Sequence, residues 1–380
     1  MGITPVTRMP RAFAAAFCSL LFFCGPAAAQ PHPPEIVIGQ SAALSGPQGE
    51  FGKDFRQGAL AWFDVVNKAG GIEGRMLRLV TLDDGGDTKR TRANTAALIE
   101  RDNALALFGY TGRAPAVAGA GLATAAKVPF IAPFSGGTQL YERNRYVFTI
   151  RASYADEVDK QVEQLVTTGI SRFAVMYVSD DVKKTNLALA EQALARRGLK
   201  PVSILVVDPQ NSNLPQLVQE LKASQAQALL AIVRYFDVTV RQIRRSGNPL
   251  QVFGISYVAN SAMPKALGEE GRGAVVSQVV PLPSKRVLTV TRDYQRDLLA
   301  LDANTGFSFT SLEGYIAAKT LTAGLRKAGR GVTRESLVDA MESLGDMDFG
   351  GYAVRFTPQN HNGARFVDLT ILRGDGTYAN

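Results

Sequence analysis

The run SGPQGEFGKD, Ser45 to Asp54, stands between the apolar stretch EIVIGQ and the helical-looking FRQGALAWFDVVNKAGG. A glycine-rich turn between a strand and a helix often cradles phosphate, so the run is first a candidate nucleotide site. A P-loop needs glycine, four residues, then Gly-Lys-[Ser/Thr]. Here five residues separate Gly46 from Gly52-Lys53, and Asp54 stands where the metal-binding hydroxyl belongs. The glycines at 46, 49 and 52 also miss the dinucleotide G-x-G-x-x-G spacing. Other chemistry is scarce. His32 lies in a proline-rich stretch and His361 in the turn-rich TPQNHNGARF. One histidine without cysteine does not make the usual zinc set, and no G-x-S-x-G elbow accompanies His361 as a triad base. The acidic pairs Asp83-Asp84, Asp180-Asp181 and Glu269-Glu270 suit acid/base or metal work in principle. The first pair, ending a strand before GGDTKRTRAN, is more simply a cap or turn. No catalytic residue, metal site or cofactor is expected.

The ends of the apolar strands are more informative. Apolar runs such as MLRLVTLDD, LALFGY, RFAVMYVS, PVSILVVD and ALLAIVRY alternate with amphipathic helical segments. Near-continuous apolar runs are the pattern of strands buried on both faces of a parallel sheet, and the alternation predicts an open, doubly wound α/β fold. In such sheets ligands bind beyond the carboxyl ends of the strands. The loops expected there are SGPQGEFG with Phe51, GYTGRAP with Thr111, Gly112 and Arg113, and PFSGGTQL with Phe134, Ser135 and Gly136. In the second half they are RASYADE with Tyr154, VRYFD with Tyr235 and Phe236, and GISYVANS with Ser256 and Tyr257. Hydroxyls and backbone N–H groups at helix starts suit an anion such as a carboxylate. The aromatic residues beside them complete the mixture of a small-molecule pocket.

At 380 residues, 46% hydrophobic and 20% charged, the chain is long enough for two ordinary domains. The alternation restarts after Arg151, and a second break falls near VVSQVVPLPSKR. The first 29 residues read as a secretory signal: Arg8 and Arg11, the apolar AFAAAFCSLLFFCG, then AAA before Gln30. Residues 30–34 read as a leader, and the mature chain is expected to be exported. Cys18 and Cys24 both fall inside the signal, so the mature chain has no thiol. Lipid on Cys24 is the alternative, against which Phe22 and Phe23 stand where small residues are wanted. The net charge of +8 is scattered, with RQIRR and KKTN its densest spots, and lacks the stripe of a nucleic-acid footprint. Solvated helix faces account for it.

The quoted runs also resemble one family. VIGQSAALSGPQGEFGKDFRQGALAWFDVVNKAGGIEGRMLRLVTLDDGGDTKRT, ALFGYTGRAPA, KVPFIAPFSGG, YVFTIRASYADE, GAVVSQVVPLP, SLEGYIAAKTL and GGYAVRFTPQNHNG are similar to the periplasmic solute-binding proteins of branched-chain amino-acid ABC importers. The resemblance covers nearly everything after residue 34. It implies two doubly wound α/β lobes joined by a three-segment hinge with the ligand cleft between them. Lobe 1 would take 35–151 and 279–352, lobe 2 152–278 and 353–380. It implies a partner, a membrane ABC permease, and a ligand that is an amino acid or related small carboxylate. Hydroxyls and N–H groups around Thr111–Arg113 and Phe134–Gly136 would hold the carboxylate, and Tyr235 or Phe236 would serve from the second lobe. Two departures stand out. Ser256 falls where the family carries an acid for the ligand's α-ammonium, and Arg113 replaces a small hydroxyl residue. Both are compatible with a carboxylate lacking the α-amino group. In a third, SDDVKKTN replaces an aromatic-glycine pair, putting Lys183 or Lys184 at the cleft rim.

Overall fold

In the computed structural model, residues 35–179, 185–259 and 262–380 are described. The expected signal and leader, with Cys18, Cys24 and His32, lie outside them, as do Asp180, Asp181, Lys183 and Lys184.

The first half of the chain builds β1 (Glu35–Ala42), α1 (Gly49–Lys68), β2 (Met76–Asp83), α2 (Thr88–Glu100), β3 (Ala106–Phe108), α3 (Arg113–Ala125), β4 (Phe130–Ile131) and β5 (Val147–Phe148). The strands form a parallel sheet in the order β2-β1-β3-β4-β5. After it come α4 (Tyr154–Thr167), β6 (Phe173–Val178), α5 (Thr185–Ala195), β7 (Ser203–Val207), α6 (Leu214–Ala223), β8 (Ala228–Ile232), α7 (Phe236–Arg245), β9 (Gln251–Gly254), α8 (Met263–Leu267) and β10 (Val275–Gln278). These five strands are parallel in the order β7-β6-β8-β9-β10, the same winding as the first sheet. β6 and β8, FAVMYV and ALLAI, are buried at every position, as two-sided cover by helices requires.

The chain then returns. α9 (Thr289–Leu301), α10 (Phe309–Ala328) and α11 (Arg334–Glu342) pack with α1 against the first sheet. The hairpin of β11 (Asp346–Asp348) and β12 (Ala353–Arg355) follows, and β13 (Asp368–Leu372) and β14 (Tyr378–Ala379) join the second sheet antiparallel. Val354, Phe356 and Ala364 belong to the core of the first lobe, so the last crossing falls after Ala364 and not at residue 353. The chain thus passes between the lobes three times. Two tyrosines tie these crossings: the buried Tyr352 donates to the carbonyls of Ile150 (2.7 Å) and Val279 (3.1 Å), and the half-buried Tyr141 donates to that of Arg151 (3.0 Å).

The glycines of the opening run serve packing. α1 begins at Gly49, inside the glycine-rich run, and a Cβ on Gly52 would lie 1.9 Å from the Ala43 carbonyl oxygen. Gly58 and Gly314 permit the α1–α10 crossing, where a Cβ would lie 1.7 Å from the Ser311 oxygen and 2.1 Å from that of Phe55. Asp54 accepts the Ser308 hydroxyl at 2.7 Å. The helix cap of α2 is Asp87, while Asp83 and Asp84 take the turn role, accepting the N–H of Gly85 (2.9 Å) and Gly86 (2.8 Å); Asp83 also accepts from Leu44 N (2.8 Å) and Ser45 Oγ (2.6 Å) of the β1–α1 loop, and Asp84 from Ser41 Oγ (2.7 Å) of β1. His361 stacks on Phe148 with ring centroids 3.9 Å apart and bonds Glu342 at 3.0 Å.

Candidate functional site

The strand ends of the first lobe are knitted together by one hydroxyl. Thr111, just past β3, bridges to Phe134 past β4, and its Oγ1 accepts the Ala43 N–H from the end of β1 at 3.0 Å. Gly112 caps α3 with φ 90°, a left-handed conformation suited to glycine, and Arg113 opens the helix. Ser135 Oγ accepts the Gly137 N–H at 3.2 Å and lies 3.5 Å from the Tyr154 hydroxyl. Gly136 lets Tyr154 close over the loop: its carbonyl accepts the Tyr154 N–H at 2.9 Å, and a Cβ would sit 2.5 Å from the tyrosine ring. The stem of Arg113 crosses Gly137, where a Cβ would lie 3.0 Å from its Cγ and Cδ.

Aromatic rings adjoin these groups. Phe134 packs with Phe51 and Phe55 at centroid distances of 5.9 and 5.5 Å, and Tyr154 with Tyr257 at 5.7 Å. Phe51, Thr111, Gly112, Arg113, Phe134, Ser135, Gly136, Tyr154 and Tyr257 are thereby brought together. Phe236 is not among them. It is 1% exposed, inside the second lobe's core with its ring against Gly254, so of the two alternatives only Tyr235, 45% exposed at the cap of α7, faces outward.

Sequence reasoning missed the charged centre of this region. Arg151, on the first crossing and 1% exposed, lies 5.0 Å from the Phe134 ring and 5.9 Å from that of Tyr154. Its guanidinium pairs with Glu313 of α10 at 3.4 Å, with Glu157 of α4 at 3.5 Å, and donates to the Ser256 hydroxyl, while its Nε has no partner. Glu157 accepts from Ser256 N (2.7 Å), Ser256 Oγ (2.7 Å) and Ser277 Oγ (2.6 Å). Burial works against the charge of Arg151, but the two carboxylates outweigh it and hold its pKa above the ordinary value. Burial also raises the pKa of Glu157, opposed by Arg151 and the serine donors, and pushes Glu313 up to about 7. A signal was present. Glu157 and Gln161 sit on the same helical face as Tyr154, Val158, Val162 and Leu165, all buried, and acids on a core-facing stripe are rarely fully buried unless paired.

Two surface depressions, of about 250 and 630 Å³, are lined by none of the candidate residues. Among the described residues no group of His, Cys, Asp and Glu is placed to hold a metal ion, and no helix is long and apolar enough to cross a membrane.

Two lobes of one winding, joined by three crossings with hydroxyls and aromatic rings at the strand ends, define the type I periplasmic binding fold. The family model described as periplasmic binding protein matches residues 35–376, and the chain belongs to that family. It is similar to a substrate-binding periplasmic protein from Ralstonia solanacearum, with 32% identity and TM-score 0.82 over 90% of this chain and 99% of that one. The Leu/Ile/Val-binding protein of Escherichia coli (strain K12) is 25% identical over 344 residues, 82% of this chain and 84% of that protein. A solute-binding protein of R. palustris, solved in complex with benzoate, shares the fold at 16% identity, with TM-score 0.79 over 91% of this chain and 95% of that one.

Proposed function

We propose that the chain is the substrate-binding component of an ABC importer, exported by its first 29 residues to the periplasm, where it captures a small carboxylate-bearing solute and delivers it to a membrane permease. The observation that carries this reading is the polarity of two hydroxyls. Thr111 and Ser135 each accept a backbone N–H. A hydroxyl has one proton to donate, and with the oxygen already accepting, that proton is available to an incoming anion. Ser135 shares the region with the Tyr154 hydroxyl. The N-terminus of α3 adds backbone N–H groups on the same side, where an anion is favoured. Arg113 supplies a charge-assisted donor of the kind that holds carboxylates. The aromatic rings of Phe51, Phe134, Tyr154 and Tyr257 would cover the apolar part of the solute. Closure of the lobes about the three crossings would bury it, and the closed form would be the one the permease engages. Kinship with named Leu/Ile/Val-binding proteins supports the transport class.

The test has two arms. Ligand-stripped protein is screened by thermal shift against carboxylic acids and amino acids, because a ligand bound only to the native state raises the midpoint by mass action. Cells lacking the chain are then assayed for uptake of the solute that binds. Loss of uptake is expected; intact uptake would instead assign a sensory role, reporting ligand to a membrane receptor.

A further inference from the structure

We infer that the captured solute is a carboxylate without an α-ammonium group, because the second-lobe groups that would receive an ammonium are already bound to one another. The inference rests on the carboxylate reading above and narrows it. An ammonium group has three protons to donate and no acceptor of its own. Buried with the ligand it needs hydrogen-bond acceptors and a compensating charge. Ser256, at the position where an ammonium-binding acid is expected, brings no charge and keeps a single uncommitted lone pair against three donors. Its hydroxyl proton goes to Glu157 Oε1 at 2.7 Å, its oxygen accepts from Arg151, and its N–H goes to Glu157 Oε2 at 2.7 Å.

The neighbouring acid does not take its place. Both oxygens of Glu157 are occupied twice, Oε1 by Ser256 Oγ and Arg151, Oε2 by Ser256 N and Ser277 Oγ. Its side chain is fully buried. Ser277 is itself held by Gln161 at 3.1 Å, so Glu157 and its donors form a closed set. Glu313, the other acid on Arg151, faces the guanidinium from α10 at 3.4 Å. Burial leaves it partly protonated near neutral pH, and a carboxyl in that state is a poor counter-ion. Arg151 thus neutralises Glu157 internally, and a cation brought to that carboxylate would displace an existing bond. A carboxylate bound by the Thr111 and Ser135 hydroxyls meets no such conflict.

Matched pairs separate the alternatives by isothermal titration of the ligand-stripped full chain. The probes are each apolar amino acid and its deaminated acid, such as leucine with 4-methylpentanoate and phenylalanine with 3-phenylpropanoate, together with the amides of those acids. The solute released by denaturing freshly purified protein is also treated with an amine-reactive reagent and analysed by mass spectrometry. The inference expects the deaminated acid to bind at least 100-fold more tightly than its amino acid, and a released carboxylic acid that does not react. An amino acid that binds as tightly as its deaminated partner, or a released solute that reacts, overturns the inference while leaving the carboxylate reading intact. Amides that bind as well as the acids overturn the carboxylate reading, and the inference with it.

Discussion

Replacing Glu313 by glutamine should stabilise the protein by a margin that grows as pH rises from 4.5 to about 7 and is then held. The carboxyl is 3% exposed, and its charged partner is Arg151 at 3.4 Å, which Glu157 already neutralises. Desolvation raises its pKa from 4.5 to about 7. At about 1.4 kcal/mol for each tenfold change in proton affinity, that shift amounts to roughly 3 kcal/mol. The sign follows from proton counts. Between pH 4.5 and about 7 the folded chain keeps a proton that the unfolded chain releases, so stability falls as pH rises through that window and levels off above it. Glu313→Gln cannot release this proton, so its stability lacks that component. Urea unfolding of parent and variant at pH 5, 6, 7 and 8 should give a difference that grows with pH in favour of the variant, by about 2–3 kcal/mol across the series. A difference constant to within about 0.5 kcal/mol, or one moving against the variant as pH rises, would refute a buried Glu313 whose desolvation outweighs its pairing with Arg151.

Three further outcomes follow from the same region. Arg151→Met leaves two buried acids without their cation and should cost about 3–5 kcal/mol in urea unfolding at pH 7; a loss under about 1 kcal/mol would mean that both acids are neutral in the parent. Gly136→Ala drives a methyl group to within 2.5 Å of the Tyr154 ring. It should lower stability by about 1–3 kcal/mol and weaken solute binding along with it, while unchanged affinity by calorimetry would remove the Gly136–Tyr154 contact from the site. Arg113→Ala should weaken carboxylate binding by about 1.5–3 kcal/mol, the range for losing a charge-assisted hydrogen bond, and an unaltered Kd would show that its guanidinium faces solvent.

The fold was legible wherever a single run of sequence carried the signal. FAVMYV and ALLAI are buried on both faces because helices cover both sides, and that cover is written as an unbroken apolar run. QVFGISYV has the length and composition of a single strand, yet the strand stops at Gly254, where the Phe236 ring packs, and Ser256–Val258 turn into a short 3-10 helix. The shared winding of the two sheets left no sequence repeat, because strand order constrains burial and not residue identity. Hydroxyls and aromatics at strand ends could be picked out because the parallel sheet fixes where its loops must lie. The Arg151 centre was missed although Glu157, six positions on, carried a signal: Glu313 arrives from a helix 162 positions away, Ser256 from beyond the β9 end, and Arg151 itself reads as an ordinary loop cation. Phe236 was open to either reading because adjacent residues at a helix start point in different directions, and only packing against Gly254 decides between it and Tyr235.

The central claim is that hydroxyl donors at the first lobe's strand ends hold a carboxylate. Its most direct test is a calorimetric titration of the solute found by the thermal-shift screen against parent and Thr111→Val proteins, repeated with the solute's amide. The account predicts that the parent binds the acid and not the amide, and that the variant loses affinity for the acid at least tenfold. Equal binding of acid and amide, or undiminished affinity in Thr111→Val, would contradict it.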